Sequence, residues 1–259
     1  MPMKNFHTHT TFCDGKSSAE EMVISAIEKG FCALGFSGHS YETYDPDYCM
    51  TIDGAEKYKK EVLRLKDKYA DKIKIYLGIE LDSCSDIDVS DYEYIIASVH
   101  AIYKNGKYYA VDESEDVFIK SVSEGWNGDY IAYAKDYFEA VANQNGDILG
   151  HIDLMTKFNE GDRLFSEKDE LYLTYAEEAV KKIINKGMLF EINTGAMSRG
   201  YRTTPYPSVE ILKLIKKHGG KITINSDCHH KDNIDFAYDK AYELAKKCGF
   251  NKVDYLFED

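Results

Sequence analysis

Seven short apolar runs alternate along the chain with longer amphipathic segments, and this alternation narrows the possible folds more than any other feature. The runs occupy residues 4–9, 32–37, 73–79, 94–99, 147–151, 188–192 and 221–225. Each has strand length, and a strand reads as a near-continuous apolar run when both of its faces are covered. Residues 18–29, 53–69, 130–143, 167–186, 208–218 and 233–247 carry apolar positions at helical spacing, and Gly30, Gly146, Gly187 and Gly219 stand where several of these helices should stop. Strand and helix in repeated alternation predict parallel strands joined by crossover helices, in one α/β domain over residues 1–259. Two stretches break the rhythm. Residues 101–129 are polar, aromatic and interrupted by glycine, too long for a routine connection, and predict a loop that covers a substrate. Thr204-Pro205-Tyr206-Pro207 predicts a second ordered loop.

Charge and cysteine content exclude several classes of function. The 45 acidic residues outnumber the 32 basic ones, giving a net charge of -13, and such a surface repels nucleic-acid phosphates unless a basic strip compensates. The clusters Lys57, Lys59, Lys60 and Lys213, Lys216, Lys217 sit at helical spacing among apolar positions and read as solvated helix faces. The six cysteines, Cys13, Cys32, Cys49, Cys84, Cys228 and Cys248, form neither a CxxC pair nor a disulfide framework, and reduced thiols are expected. No apolar stretch is long enough to span a bilayer and no basic-then-apolar leader is present, so a cytoplasmic location is expected, without an obligate protein partner.

In barrels of parallel strands the active site is assembled at the strands' C-terminal ends, and here almost every end carries a metal-binding residue type. The first run leads to His7, His9 and Asp14; the second to His39; the third to Glu80; the fourth to His100; the fifth to His151; the sixth to Glu191 and Asn193; the seventh to Asp227 and His229. Only His218 and His230 stand apart. Strand alternation sends His7 and His9 to one side, and does the same for Asp227 and His229 if the chain stays extended across Cys228. Imidazole and carboxylate without organised thiolate suit zinc, manganese or iron(II), and the set is large enough for two or three ions.

His7-Thr8-His9 with Asp14-Gly15, Ser37-Gly38-His39, Glu80, Ser98-Val99-His100, Gly150-His151 and Ser226-Asp227-Cys228-His229 resemble the ordered motifs of the polymerase and histidinol phosphatase superfamily. The segment 98–112, the run from Gly150 to Leu154 with Lys157-Phe158-Asn159, and Glu191-Ile192-Asn193-Thr194 followed by Arg199 resemble its histidinol-phosphatase branch. The resemblance implies a distorted (βα)7 TIM-like barrel, a centre of two or three divalent ions, and hydrolysis of L-histidinol phosphate in histidine biosynthesis. It implies that His7, His9, Glu80 and Asp227 hold one ion, that Glu80, His100 and His151 hold a second, and that Asp14, His39 and His229 hold a third. One departure bears on the third site: where many members of the branch carry His, this chain has Gly15. Cys13 and Cys228 flank ligands but read as small buried fillers.

Phosphoryl transfer depends mainly on positioning and charge stabilisation, which favours arginine forks on the phosphoryl oxygens. Arg199, Arg163 and Arg202 are the candidates. Asp227 or His229, or a water on the metal, could protonate the leaving alkoxide, and Glu80 bridges two ions in the implied scheme. A substrate with an amine and an imidazole calls for acceptors, which Asp153, Glu191 or Asn193 could supply. Tyr103, Tyr108 or Trp126 could stack on the imidazole, or instead cap the hydrophobic end of the barrel. A superfamily phosphoesterase acting on another small phosphomonoester or on nucleotides is the alternative reading.

Overall fold

The apolar runs form a parallel sheet that curls into a nearly closed barrel. In the computed structural model, which describes residues 3–257, its strands are β1 (Met3–Asn5), β2 (Phe31–Phe36), β3 (Lys74–Asp82), β4 (Tyr94–Ser98), β7 (Ile148–Leu149), β8 (Leu189–Asn193) and β9 (Ile222–Asn225). They lie in chain order, each hydrogen-bonded to the next. An isolated parallel bridge between Thr8 and Cys228, with His9 N–H donating to Cys228 O at 3.0 Å, draws the segments beyond the first and last strands together.

Around this barrel run α1 (Ala19–Glu28), α2 (Ile52–Lys68), α4 (Tyr130–Asn143), α5 (Glu170–Asn185), α7 (Val209–Lys217) and α8 (Tyr238–Lys247), with a single turn, α6 (Gly195–Ser198), after β8. Side-chain caps start several of them: Ser18 and Glu21 make a reciprocal capping box on α1, Thr51 caps α2, and Asp129 and Asp169 cap α4 and α5. The lysine clusters lie on these helices, and Lys59, Lys213 and Lys217 pair with nearby carboxylates, as solvated faces do.

Strand alternation separates two cores. Ile75, Leu77 and Ile79 of β3 face the helices, whereas Tyr94 and Ile96 of β4 join Phe6, Ala33, Ile148 and Leu189 in a small cluster inside the barrel. The Tyr94 ring fits there because Gly35 and Gly78 offer no side chain; a Cβ on Gly78 would lie 2.2 Å from Tyr94 Cζ. Tyr255, Leu256 and Phe257 close this end, Phe257 stacking on Tyr76 at 4.0 Å. The barrel's opposite end, where the strands finish, is left for the site.

Residues 101–129 differ from the expected loop. They fold into an antiparallel hairpin, β5 (Ala101–Lys104) and β6 (Lys107–Ala110), and a helix, α3 (Glu115–Trp126). Asn105 and Gly106 both have positive φ, the requirement of a tight hairpin turn, and Ser114 caps α3 while Phe118, Val122 and Trp126 bury its inner face. The 204–207 loop is ordered, tied to β8 by reciprocal bonds between Asn193 and Tyr206. All six cysteines are free thiols.

Candidate metal centre

The first strand stops sooner than its apolar run, and this early stop builds the site. Beyond Asn5, Phe6 N–H donates to Asn225 Oδ1 at 2.8 Å and His7 N–H to Asn5 Oδ1 at 3.1 Å, so side chains replace the sheet ladder. Thr8 returns to the neighbouring strand through Ser37 Oγ and Gly35 O. His7 and His9 consequently both face inward, their rings 5.2 Å apart. His9 is sandwiched between His39 and His229, at 4.3 and 4.1 Å.

At the last strand the extended geometry does not persist: Asp227 has φ +48°, a conformation costly for a non-glycine residue. That turn brings Asp227 Oδ1 to 3.2 Å from His9 Nε2 and keeps His229 beside it. In the first loop, a Cβ on Gly15 would fall 2.4 Å from Thr10 N, so this backbone admits no histidine there. Asp14 faces the site instead, with Oδ2 3.0 Å from His229 Nε2 and Oδ1 3.6 Å from His39 Nε2.

Glu80 stands at the centre. Its Oε2 lies 3.1 Å from His7 Nε2, 3.4 Å from His9 Nε2 and 3.1 Å from His39 Nδ1. Its Oε1 lies 3.0 Å from His151 Nε2 and 3.5 Å from His100 Nε2, and accepts from Ser98 Oγ at 2.7 Å. Four overlapping groups have donor atoms all within 4.8 Å: His9, Asp14, His39 and His229; His7, His151 and Asp227; His7, His9 and Glu80; His39, Glu80 and His100.

The residues present fit divalent cations. His7 Nε2, His9 Nε2 and Glu80 Oε2 are buried and without a hydrogen-bond partner, although they point at one another. Buried polar atoms are rarely left so, and the donor types are those of zinc and similar ions. Electrostatics agree. Burial disfavours the charged form of Glu80, yet His7, His39 and His100 hold it well below the carboxylate range; Arg199 and His7 do the same for Asp227. Burial also opposes charge on His7 and His100, but Glu191, Glu80 and Asp227 raise the first well above its usual value, while Glu80 and Asp82 push the second up to about 10. For His39 burial prevails, with His9 adding to it, and the pKa falls to about 3. The protons drawn onto His7 and His100 mark negative charge that calls for a cation among them.

A further layer orients these rings. Glu191 Oε1 accepts from His7 Nδ1 at 2.8 Å and from Asn225 Nδ2 at 2.9 Å, and its Oε2 accepts from His151 N–H and Asn193 Nδ2. Asp82 Oδ2 accepts from His100 N–H at 2.8 Å and lies 3.1 Å from His100 Nδ1. Such contacts fix which ring nitrogen faces a metal. Glu191 and Asn193 therefore sit behind the rings and do not line the cavity. Sequence reading missed Asp82, although β3 alternation already places it on the face of Glu80.

A cavity of about 650 Å³ opens over the cluster. Arg199 lines it, donating to Asp227 Oδ2 at 3.2 Å with Nη1 2.9 Å from His229 Nδ1. The other two arginines are engaged elsewhere: Arg163 pairs with Glu115 at 2.7 Å on the surface, and Arg202 is buried against Glu167 and Thr156 O. Asp153 is buried away from the cavity, accepting from Ser208 N–H. Trp126 packs in the helix core and donates to Asp136, and Tyr103 is exposed; Tyr108 reaches the cavity only by stacking on Tyr44 at 5.0 Å. Tyr44, Tyr48 and Tyr201 line the wall without having been singled out by pattern, beside Asp112 and Lys157, which fall in the branch-like segments but have no role assigned there. Burial raises the Cys13 and Cys228 thiols to about 12, so they remain neutral fillers.

Fold and site together define a parallel α/β barrel with a histidine–carboxylate centre able to hold metal ions at its C-terminal mouth. The chain belongs to the PHP domain family, whose pattern matches residues 5–195, and within it to the histidinol-phosphatase branch. It is 27% identical to the histidinol-phosphatase of Lactococcus lactis over 98% of this chain and 94% of that one. The solved structure of the L. lactis protein, in complex with zinc, L-histidinol and phosphate, superposes with a TM-score of 0.69 at 23% identity, covering 96% of this chain and 95% of that one. A Listeria monocytogenes protein described provisionally as a histidinol phosphatase matches with a TM-score of 0.80 at 20% identity, covering 92% and 99%. Among the described residues, no helix is long and apolar enough to cross a membrane.

Proposed function

We propose that this chain is a metal-dependent phosphomonoesterase that hydrolyses L-histidinol phosphate to L-histidinol and phosphate. The observation that carries the reading is the convergence of buried, unpartnered His7, His9 and Glu80 atoms beneath a cavity that Glu80 and Arg199 line. The near full-length likeness to histidinol-phosphatases, one of them solved with zinc, L-histidinol and phosphate, supplies the substrate.

His7, His9, Glu80 and Asp227 would hold one ion, Glu80, His100 and His151 a second, and Asp14, His39 and His229 a third, from among zinc, manganese and iron. Bound there, such ions would supply a water of lowered pKa and neutralising charge for the phosphoryl oxygens. The chain's own residues do the rest. Arg199 presents a planar fork to the phosphate, a pairing stronger than a neutral hydrogen bond. In the reaction a water gives up a proton as its oxygen bonds to phosphorus, the ester P–O bond breaks, and the leaving alkoxide takes up that proton, handed on by a water or by Asp227 or His229, both beside Arg199. Segment 101–129 contributes Ala110, Asp112 and Glu113 to the cavity wall, and we assign it to covering the substrate.

The test is phosphate release from L-histidinol phosphate, beside p-nitrophenyl phosphate and a short single-stranded DNA, after reconstitution with Mn²⁺, Zn²⁺ or Fe²⁺ and with a chelated control. A metal-dependent preference for L-histidinol phosphate is expected, abolished in His9→Ala and Asp227→Asn proteins that still fold. Activity confined to the other substrates overturns the substrate, and full activity under chelation overturns the metal.

A further inference from the structure

The cavity wall is charged in both senses. Apart from the side chains grouped at the metal centre, three carboxylates line it, Asp45, Asp112 and Glu113, facing three cations, Lys16, Lys157 and Arg199. A pocket built only for a phosphate would gain nothing from carboxylates, which repel a dianion at short range. A ligand that carries a cation next to its phosphate accounts for both signs.

Among the three carboxylates, Asp112 alone is held in place. Val111 N–H donates to His100 O at 2.8 Å, which anchors the end of the hairpin beside the metal centre. Lys157 Nζ donates to Asp112 O at 2.7 Å and to its Oδ2 at 2.9 Å, while the lysine lies over the Tyr201 ring. Oδ1 has no partner among the described residues, and the side chain is 24% exposed, enough to meet a ligand. By contrast Glu113 is exposed, and Asp45 accepts from Asp47 N–H within its own turn. Asp153, Glu191 and Asn193, the acceptors expected from sequence, do not line the cavity.

We infer that Asp112 is a specificity-determining residue that accepts a hydrogen bond from the ammonium group of the phosphate ester, an assignment resting on the proposed phosphomonoesterase activity. Lys157 keeps the carboxylate aimed, and the enzyme selects amino-alkyl phosphates over amine-free esters of the same size.

The experiment compares the metal-loaded wild type with Asp112→Asn and Asp112→Glu on L-histidinol phosphate and on the same imidazolyl-propyl phosphate without its amine. Ethanolamine phosphate and ethyl phosphate form a second pair. The wild type should prefer the ammonium ester in each pair that it turns over. Asp112→Asn, which is isosteric and still accepts from Lys157, should lose that preference by at least about tenfold while its kcat/KM on amine-free esters stays within about twofold; Asp112→Glu should regain part of it. Equal losses on both members of a pair, no loss on either, or a wild type indifferent to the amine overturns the assignment. If the wild type ignores L-histidinol phosphate yet prefers ethanolamine phosphate, the substrate reading fails while the role of Asp112 stands.

Discussion

His7 Nδ1 lies 2.8 Å from Glu191 Oε1, and this one hydrogen bond leaves His7 Nε2 as the nitrogen that faces Glu80 and Asp227. Glu191 also accepts from Asn225, Asn193 and His151 N–H, so every part of its carboxylate is engaged behind the ring. Replacing Glu191 by Gln puts an amide donor against donors on one side and weakens the hold on the His7 tautomer. We expect metal affinity to fall by about 10- to 100-fold, the usual cost of losing such an orienting contact. Metal content after dialysis against a graded chelator checks it, and an unchanged affinity would show that His7 needs no such support.

Arg199 donates to Asp227 and lines the cavity, so its fork is held ready at the place where phosphate would sit. Arg199→Ala should raise KM for the phosphoester by at least about tenfold, in line with about 1.5 to 3 kcal/mol for a hydrogen bond to a charged group. Steady-state kinetics, with free phosphate as a competitive inhibitor weakened in parallel, provide the reading. An unchanged KM would remove Arg199 from substrate binding.

The strands and most helices were legible because burial on two faces and helical spacing write themselves into the pattern. The metal-type side chains were legible because a barrel places its chemistry at strand ends. What the pattern hid depended on partners distant in sequence. Glu191 and Asn193 stand at a strand end like Glu80, and only the fold shows that they serve the rings from behind. Arg163 and Arg202 follow ligand strands, yet carboxylates at Glu115 and Glu167 claim them first. The hairpin signal Asn105-Gly106 and the Phe118, Val122, Trp126 spacing were present in segment 101–129 but were outweighed by its polar, aromatic composition.

Glu42 gives stability a pH dependence of its own. It is buried, with Oε1 accepting from Ser40 Oγ at 2.9 Å and Oε2 without a partner; burial and the nearby Asp82 push its carboxyl up to about 7, with His100 and Ser40 opposing. A raised carboxyl means the folded state holds its proton more tightly than the unfolded one. The cost of ionising it is absent below about pH 4.5, grows through neutrality and is complete above about pH 7, so stability falls as pH rises. Glu42→Gln should match wild type in urea denaturation at pH 5 and exceed it at pH 8.5, by about 1 to 2 kcal/mol once solvent screening is allowed for. Equal stabilities at both values would mean that the carboxyl is solvated in solution.

Tyr94 fills the barrel interior only because Gly78 lacks a side chain. A Cβ there would sit 2.2 Å from Cζ and 2.3 Å from Cε1 of a ring that is itself pinned, its hydroxyl 2.6 Å from Phe6 O and 3.0 Å from Phe36 O. Neither ring nor strand can yield without breaking those bonds or the ladder of β3, so Gly78→Ala should cost about 1 to 3 kcal/mol, the range for overpacked cores. The cause is separable by a double-mutant cycle. Tyr94→Ala alone should destabilise through the cavity it leaves, by about 3 to 5 kcal/mol, but in that background the added methyl finds room, and Gly78→Ala should become neutral or stabilising. Because the two residues touch, strong non-additivity in chemical denaturation is the expected signature. Additive losses would instead assign the glycine requirement to the backbone of β3, independent of the ring.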